Sequence, residues 1–216
     1  FLEDKISKKL LLESIRKCTI GNLIVPVLVG SSLKNKGIQP LLDSIVNFLP
    51  SPVDKESVEG LSPKNNNIIK RKKIINEPLA GLVFKMVNDK FVGKLAFVRI
   101  YSGELKCGQN VFNPRLKKRE RISKLLRLHA NHREEVQVLK AGEIGGMVGQ
   151  KSFTTGDTMC SENEPIILEN IEFPEPVISM AIEPKTTRDK ESLIIALNDL
   201  VSEDPTFHKS VSCLLY

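Results

Sequence analysis

The densest chemistry in this sequence is cationic. Arg115, Lys117, Lys118, Arg119 and Arg121, with Lys124 and Arg127 beyond them, put seven cations in thirteen residues. On a hairpin, that density can meet several phosphates at once, and binding would weaken with salt. Few aromatic residues interleave, for the chain has Trp 0 and Tyr 2. Base stacking on single strands is poorly served, so recognition of nucleic-acid shape and backbone is the expected mode. A second basic run, Lys70-Arg71-Lys72-Lys73, reads as solvated surface, with a phosphate contact as the alternative.

Catalytic groupings are scarce. His129 and His132 lie three apart, which could place both on one helix face, but a metal site needs further ligands at suitable spacing. The pair reads instead as a structural or hydrogen-bonding loop. Arg133-Glu134-Glu135 reads as salt-bridged surface, and the three histidines of the chain offer no persuasive Ser-His-Asp order. Gly142, Gly145, Gly146 and Gly149 echo a nucleotide loop, but no amphipathic helix follows; tight turns and close backbone packing explain them. No G-x-x-x-x-G-K-[ST] stretch occurs, so nothing cradles a triphosphate. No catalytic residue and no metal ligand is assigned.

The elements that must carry these residues fall into zones within 216 residues, room for one large domain or two small ones. Apolar residues make up 41%, enough for a core, and the formal charge of +6 with a pI of about 9.1 suits a polyanionic partner without demanding one. Cys18, Cys107, Cys160 and Cys213 are dispersed, against zinc or redox pairs and in keeping with a reducing compartment. No apolar run approaches the roughly 18 residues that span a bilayer, so no membrane partner is expected. The opening residues do not resemble a signal peptide, and the chain reads as starting within a larger protein.

Residues 1–52 read as helix, strand, helix. Leu2, Ile6, Leu10 and Ile15 are helically spaced, residues 23–29 (LIVPVLV) form an apolar run like a strand buried on both faces, and Ile38, Leu41, Leu42, Ile45, Val46 and Leu49 share a second helix face. One parallel strand cannot complete an α/β domain, so this zone is expected to be the last third of one. Residues 53–77 read as a linker. From 78 to 176 the period changes to two, with strands expected at 79–87, 95–101, 109–113, 121–128 and 145–149, split by glycines. Such spacing indicates an antiparallel sandwich or closed barrel. Residues 95–101 (LAFVRIY) are apolar on both faces, which suits a barrel covered outside by neighbouring domains. In the last zone, 177–216, residues 177–182 alternate like a strand. Thr186 and Asp189 resemble a capping box before a helix, giving a truncated α+β segment.

Specific words in the sequence then resemble one family. Residues 121–142 (RISKLLRLHANHREEVQVLKAG) and Thr155-Gly156-Asp157-Thr158 resemble the second domain of elongation factor G. So do Phe84-Lys85-Met86, Gly93-Lys94-Leu95 and Tyr101-Ser102-Gly103. Residues 29–37 (VGSSLKNKG) look like the family's final guanine-contacting loop, 39–43 its closing helix and Leu49-Pro50-Ser51-Pro52 its exit. Pro174-Glu175-Pro176-Val177, 182–186 (IEPKT) and Asp204-Pro205-Thr206-Phe207 resemble the start of the third domain.

The resemblance implies a mainly β fold: a translation-factor antiparallel barrel, preceded by an α/β remnant of a GTPase domain and followed by a truncated ferredoxin-like segment. It implies a GTP-dependent ribosomal translocase, with a related release, recycling or ribosome-protection factor as the alternative. The barrel would rest on small-subunit rRNA, for which the basic residues Arg115, Lys117, Lys118, Arg119 and Arg121 are the candidate contacts, and pack on the GTPase domain; neither DNA nor membrane is implied. The intact protein would use GTP/GDP with Mg2+ in the cytoplasm or an organelle matrix. Ser31, Ser32 and Leu33 would line the guanine through backbone groups, completing a pocket built elsewhere. Without phosphate loop and switches, this chain is expected to bind no nucleotide and hydrolyse no GTP alone. Two departures stand out: Ser32 where the family usually has Ala, and 208–216 (HKSVSCLLY), which does not continue as the family does.

Overall fold

The computed structural model describes residues 6–89, 92–130, 132–168, 171 and 174–210. The chain divides into two compact units, Phe1–Lys55 and Glu56–Tyr216.

In the first unit, α1 (Lys8–Ile20) and α2 (Ile38–Phe48) pack on each other. The Ser7 hydroxyl caps α1 by accepting from the Leu10 amide at 3.2 Å, and Gly21 ends it. Arg16 fixes the exit from α2: its guanidinium donates to the carbonyls of Asn47 and Leu49 and pairs with Asp54 at 2.7 Å. No residue of either helix is buried. Residues 23–29 are not a strand. A strand needs a partner ladder for its backbone groups, and no strand of the described residues pairs with these; Val27 and Val29 are 87% and 94% exposed. The apolar run reported hydrophobicity correctly, but hydrophobicity alone does not make a sheet.

The second unit contains the barrel. Strands β3 (Ala80–Asp89), β4 (Gly93–Ser102), β6 (Asn110–Asn113), β7 (Lys118–Arg121), β8 (Lys124–His129), β9 (His132–Val136), β11 (Ile144–Val148) and β12 (Thr158–Cys160) form one antiparallel sheet, ordered β7-β6-β12-β3-β4-β11-β8-β9. A short pair, β5 (Glu104–Lys106) with β10 (Val138–Lys140), closes the far side. Backbone bonds from Gly108 to Ile122 (2.8 Å) and Cys107 to Gln137 (2.9 Å) complete the closure. Val83, Val98, Ile100, Leu125, Met147 and Met159 belong to the core that the curled sheet surrounds. Strand β4 shows why both of its faces are apolar. Ala96, Val98 and Ile100 enter the core, while Leu95 packs outside with Leu126 and Val148 of the same sheet.

Four expectations change here. Residues 121–128 are not one strand: Ile122, 0% exposed, turns into the core between β7 and β8. His129 and His132 are cross-strand partners at the end of the β8–β9 hairpin, in keeping with their reading as part of a structural loop. Residues 53–77 are not a bare linker, for β1 (Ser57–Leu61) and β2 (Ile68–Lys72) form an antiparallel hairpin. Its Val58 and Ile69 pack on a second cluster containing Ala80, Cys160 and Ile166. Arg71, 3% exposed, is not solvated surface; its guanidinium donates to the carbonyls of Pro78 (3.1 Å), Leu79 (3.3 Å) and Glu164. The fourth change is in the last zone. Residues 177–182 form no strand, Val177 being 96% exposed, and α3 (Asp189–Glu203) follows. The Thr186 hydroxyl donates to the Asp189 carboxylate at 2.8 Å, but no side chain caps the helix amides, so the box is incomplete. Helix α3 packs on β3, with Glu203 accepting from the Asn88 amide. Residues 211–216, which hold Cys213 and most of the expected divergent tail, lie outside the described residues.

Candidate nucleic-acid interface

The cationic cluster sits on the β6–β7 hairpin, and the structure sorts its members by what each touches. Arg115 faces Asp157, 42 residues on. Its Nε donates to Asp157 Oδ1 at 2.5 Å, and Nη2 donates to Oδ2 at 2.9 Å and to Thr154 Oγ1 at 3.1 Å. Asp157 is only 4% exposed and also accepts from Asn113 Nδ2 (3.0 Å), the Thr154 amide (2.9 Å) and the Thr154 hydroxyl (3.2 Å). Burial pushes this carboxyl upward, but the Arg115 hydrogen bond, the Thr154 amide, the Arg115 charge and Asn113 together outweigh it, holding the pKa below its ordinary value. Asn113 Oδ1 in turn accepts from the amides of Arg115 (3.0 Å) and Leu116 (3.2 Å), shaping the turn. Arg115 is thus committed to the protein's own carboxylate. It is an anchor of the hairpin.

Its neighbours differ. Arg119 pairs with Glu162 through Nε at 2.5 Å, on an exposed surface. Arg121 donates from Nε to the Gly108 carbonyl at 3.1 Å. Lys124 pairs with Glu135 at 3.2 Å, and Arg127 with Glu143 at 3.3 Å. Lys117, at a φ of 54°, and Lys118 are exposed, and no ion pair of the described residues uses them. The uncompensated charge therefore concentrates at the turn itself. On β7, Glu120 points to the side opposite Arg119 and Arg121. There it accepts from the Lys151 amide and from Ser152 Oγ (2.6 Å), tying the strand to the turn after β11. Sequence reasoning missed Asp157, Glu162 and Glu120, because each partner is 30 to 44 residues away and nothing local marks the pairing.

Ser31, Ser32 and Leu33 belong to a small closed loop of the first unit. Ser31 and Lys36 exchange backbone hydrogen bonds at 2.9 and 3.0 Å, and the carbonyls of Ser31 and Ser32 accept from Lys34 (3.2 Å) and Asn35 (3.0 Å). Gly30 and Gly37 close its base: a Cβ on Gly30 would stand 2.8 Å from the Lys36 carbonyl oxygen, and Gly37 has a φ of +79°. Among the hydrogen bonds of the described residues, none uses the amides of Ser32 or Leu33. Leu33 is exposed. The loop offers two donors on a rigid frame.

Residues 78–162 match the family description "Elongation factor G domain 2", and residues 173–212 match "Elongation Factor G, domain III". The second match continues past Phe207, so it includes part of the segment expected to diverge. A crystal structure of a protein from Thermus thermophilus is similar, with 25% sequence identity and a TM-score of 0.71 over 94% of this chain. The chain covers 28% of that protein's length. The barrel, its ordered motifs and the two consecutive domain matches agree: the chain belongs to the elongation factor G family and is a segment of a translation elongation factor.

Proposed function

We propose that the barrel docks on small-subunit ribosomal RNA, with the β6–β7 turn as its leading contact, as part of a translocase that moves tRNA and mRNA. The observation that carries this is the sorting of charge. Lys117 and Lys118 project without carboxylate partners, while Arg115 and Asp157 fix the turn that holds them. Phosphate oxygens are the natural counter-charge for such a turn, and rigid presentation lowers the cost of ordering it. Sedimentation of the chain with small ribosomal subunits tests the reading. Association should appear at low salt and weaken in Lys117→Glu/Lys118→Glu. A folded barrel that fails to associate even at low salt would overturn it.

The intact protein is proposed to work with GTP or GDP and Mg2+. The Ser32 and Leu33 amides fit the edge of a guanine, which presents an acceptor oxygen, and the loop needs no rearrangement to offer them. The chain's contribution stops there: it holds the base edge, while phosphate and metal contacts belong to residues outside it. Tight binding of a fluorescent GTP analogue by this chain alone would contradict that division. Unpaired Cys18, Cys107 and Cys160 suit a reducing location such as the cytoplasm or an organelle matrix.

A further inference from the structure

A hollow of about 330 Å³ opens between the start of β4 and the turn after β11, lined by Val92, Lys94, Val148, Gly149, Gln150 and Lys151. Its composition is unusual in one respect. Gln150 is 3% exposed, its Nε2 donates to the Lys94 carbonyl at 3.3 Å, and its Oε1 has no hydrogen-bond partner. Reversing the amide would not help, because Nε2 is needed for that carbonyl. A buried acceptor without a donor costs about 1–3 kcal/mol; the oxygen is enclosed in this structure, so an O–H or N–H that reached it as the side chain turned toward the hollow would be favoured. Lys94 and Lys151 are exposed, and neither forms an ion pair among the described residues. The floor is rigid. Gly149 has a φ of +90°, and a Cβ there would stand 1.9 Å from Ser123 Oγ, which donates to the Val148 carbonyl at 2.8 Å.

The three features select a ligand class. Two ammonium groups call for an anion, while the Gln150 oxygen calls for a neutral donor, which neither a carboxylate nor a phosphodiester can supply. Val92 and Val148 add a short apolar wall. A ribose–phosphate unit carries all three: anionic oxygens, a 2′-hydroxyl and a carbon face. The hollow also adjoins the docking hairpin, because Glu120 of β7 accepts from the Lys151 amide and from Ser152. We propose that this hollow is a ribose–phosphate subsite for the RNA backbone, extending the contact face from Lys117 and Lys118 to Lys94 and Lys151. The inference rests on the docking reading and adds a second, sugar-reading contact to it.

Two measurements on the full chain separate the two ideas. In the first, ribose 5-phosphate is titrated while NMR follows the Gln150 side-chain amide. The signals should shift, shift less with 2-deoxyribose 5-phosphate, and stay still in Lys94→Ala/Lys151→Ala. Equal response to both sugars, or a shift that survives the lysine changes, overturns the subsite. In the second, the same variant is sedimented with small ribosomal subunits across a salt series. The slope of log affinity against log salt should fall by about 1 per lysine. Unchanged binding in Lys94→Ala/Lys151→Ala, alongside loss in Lys117→Glu/Lys118→Glu, sinks the subsite and leaves docking intact. Absence of any wild-type binding sinks docking itself.

Discussion

Replacing Asp157 with alanine should destabilise the barrel more than any change to the exposed cations around it. The mutation removes the acceptor of Asn113 Nδ2, which is 0% exposed, and of the Thr154 amide. Orphaned buried donors cost about 1–3 kcal/mol each before relaxation. The Arg115 side chain is 54% exposed and can return to water, so its lost pairing adds no more than about 1 kcal/mol. The expected total is about 2–4 kcal/mol, a large part of a domain's stability. Urea unfolding followed by far-ultraviolet circular dichroism reads it, since the chain lacks tryptophan. A double-mutant cycle sharpens the test, because Arg115→Ala should matter in the wild type and hardly at all beside Asp157→Ala. A cost for Asp157→Ala under about 1 kcal/mol, or an Arg115→Ala effect equal in both backgrounds, would refute the anchoring argument. The acid response follows from the same network. Because the folded carboxyl titrates below its unfolded value of about 3.9, its contribution is complete above that pH and is lost as pH falls through the folded value. In Asp157→Asn that acid-dependent loss should shrink.

Arg71→Met should cost about 2–4 kcal/mol in urea unfolding, because three carbonyls lose their shared donor, while Lys70→Met beside it should change little. Gly149→Ala combines a left-handed backbone with a collision at Ser123 Oγ and should destabilise by about 2–4 kcal/mol; Gly149→Ala/Ser123→Gly should recover part of it. Ile122→Ala, at a fully buried position, should cost about 2–5 kcal/mol by thermal or urea unfolding. Lys117→Glu/Lys118→Glu should leave the unfolding midpoint unchanged, since neither lysine holds the fold.

Glycine punctuation and short apolar runs were enough to place β3, β4 and β11, because these strands bury residues on both faces and end at turns. Strand β9 was invisible for the opposite reason: His132, Arg133, Glu134 and Glu135 are all exposed on an edge, and no apolar period marks them. Residues 23–29 and 177–182 erred in the other direction, having strand-like composition but no ladder to join. The basic hairpin was legible as a location but not as a division of labour. Charge density identifies a cluster; only the fold shows that Arg115 and Arg119 reach carboxylates at 157 and 162, leaving the turn lysines free of such partners. The hollow at Gln150 gave no signal in sequence, since its lining comes from the start of β4 and the end of β11, more than fifty residues apart.

The Arg71 guanidinium bears on how the barrel would respond to force. It holds the approach to β3, at Pro78 and Leu79, together with the segment after β12, at Glu164, while Leu61 bridges Ile167 beside it. Both ends of the barrel sequence are thereby riveted at one place. A tug through either flank meets the same lock and loads it sideways, so neither end can peel away strand by strand. Pulled from its two sides, the barrel should hold and then give way in a single rupture.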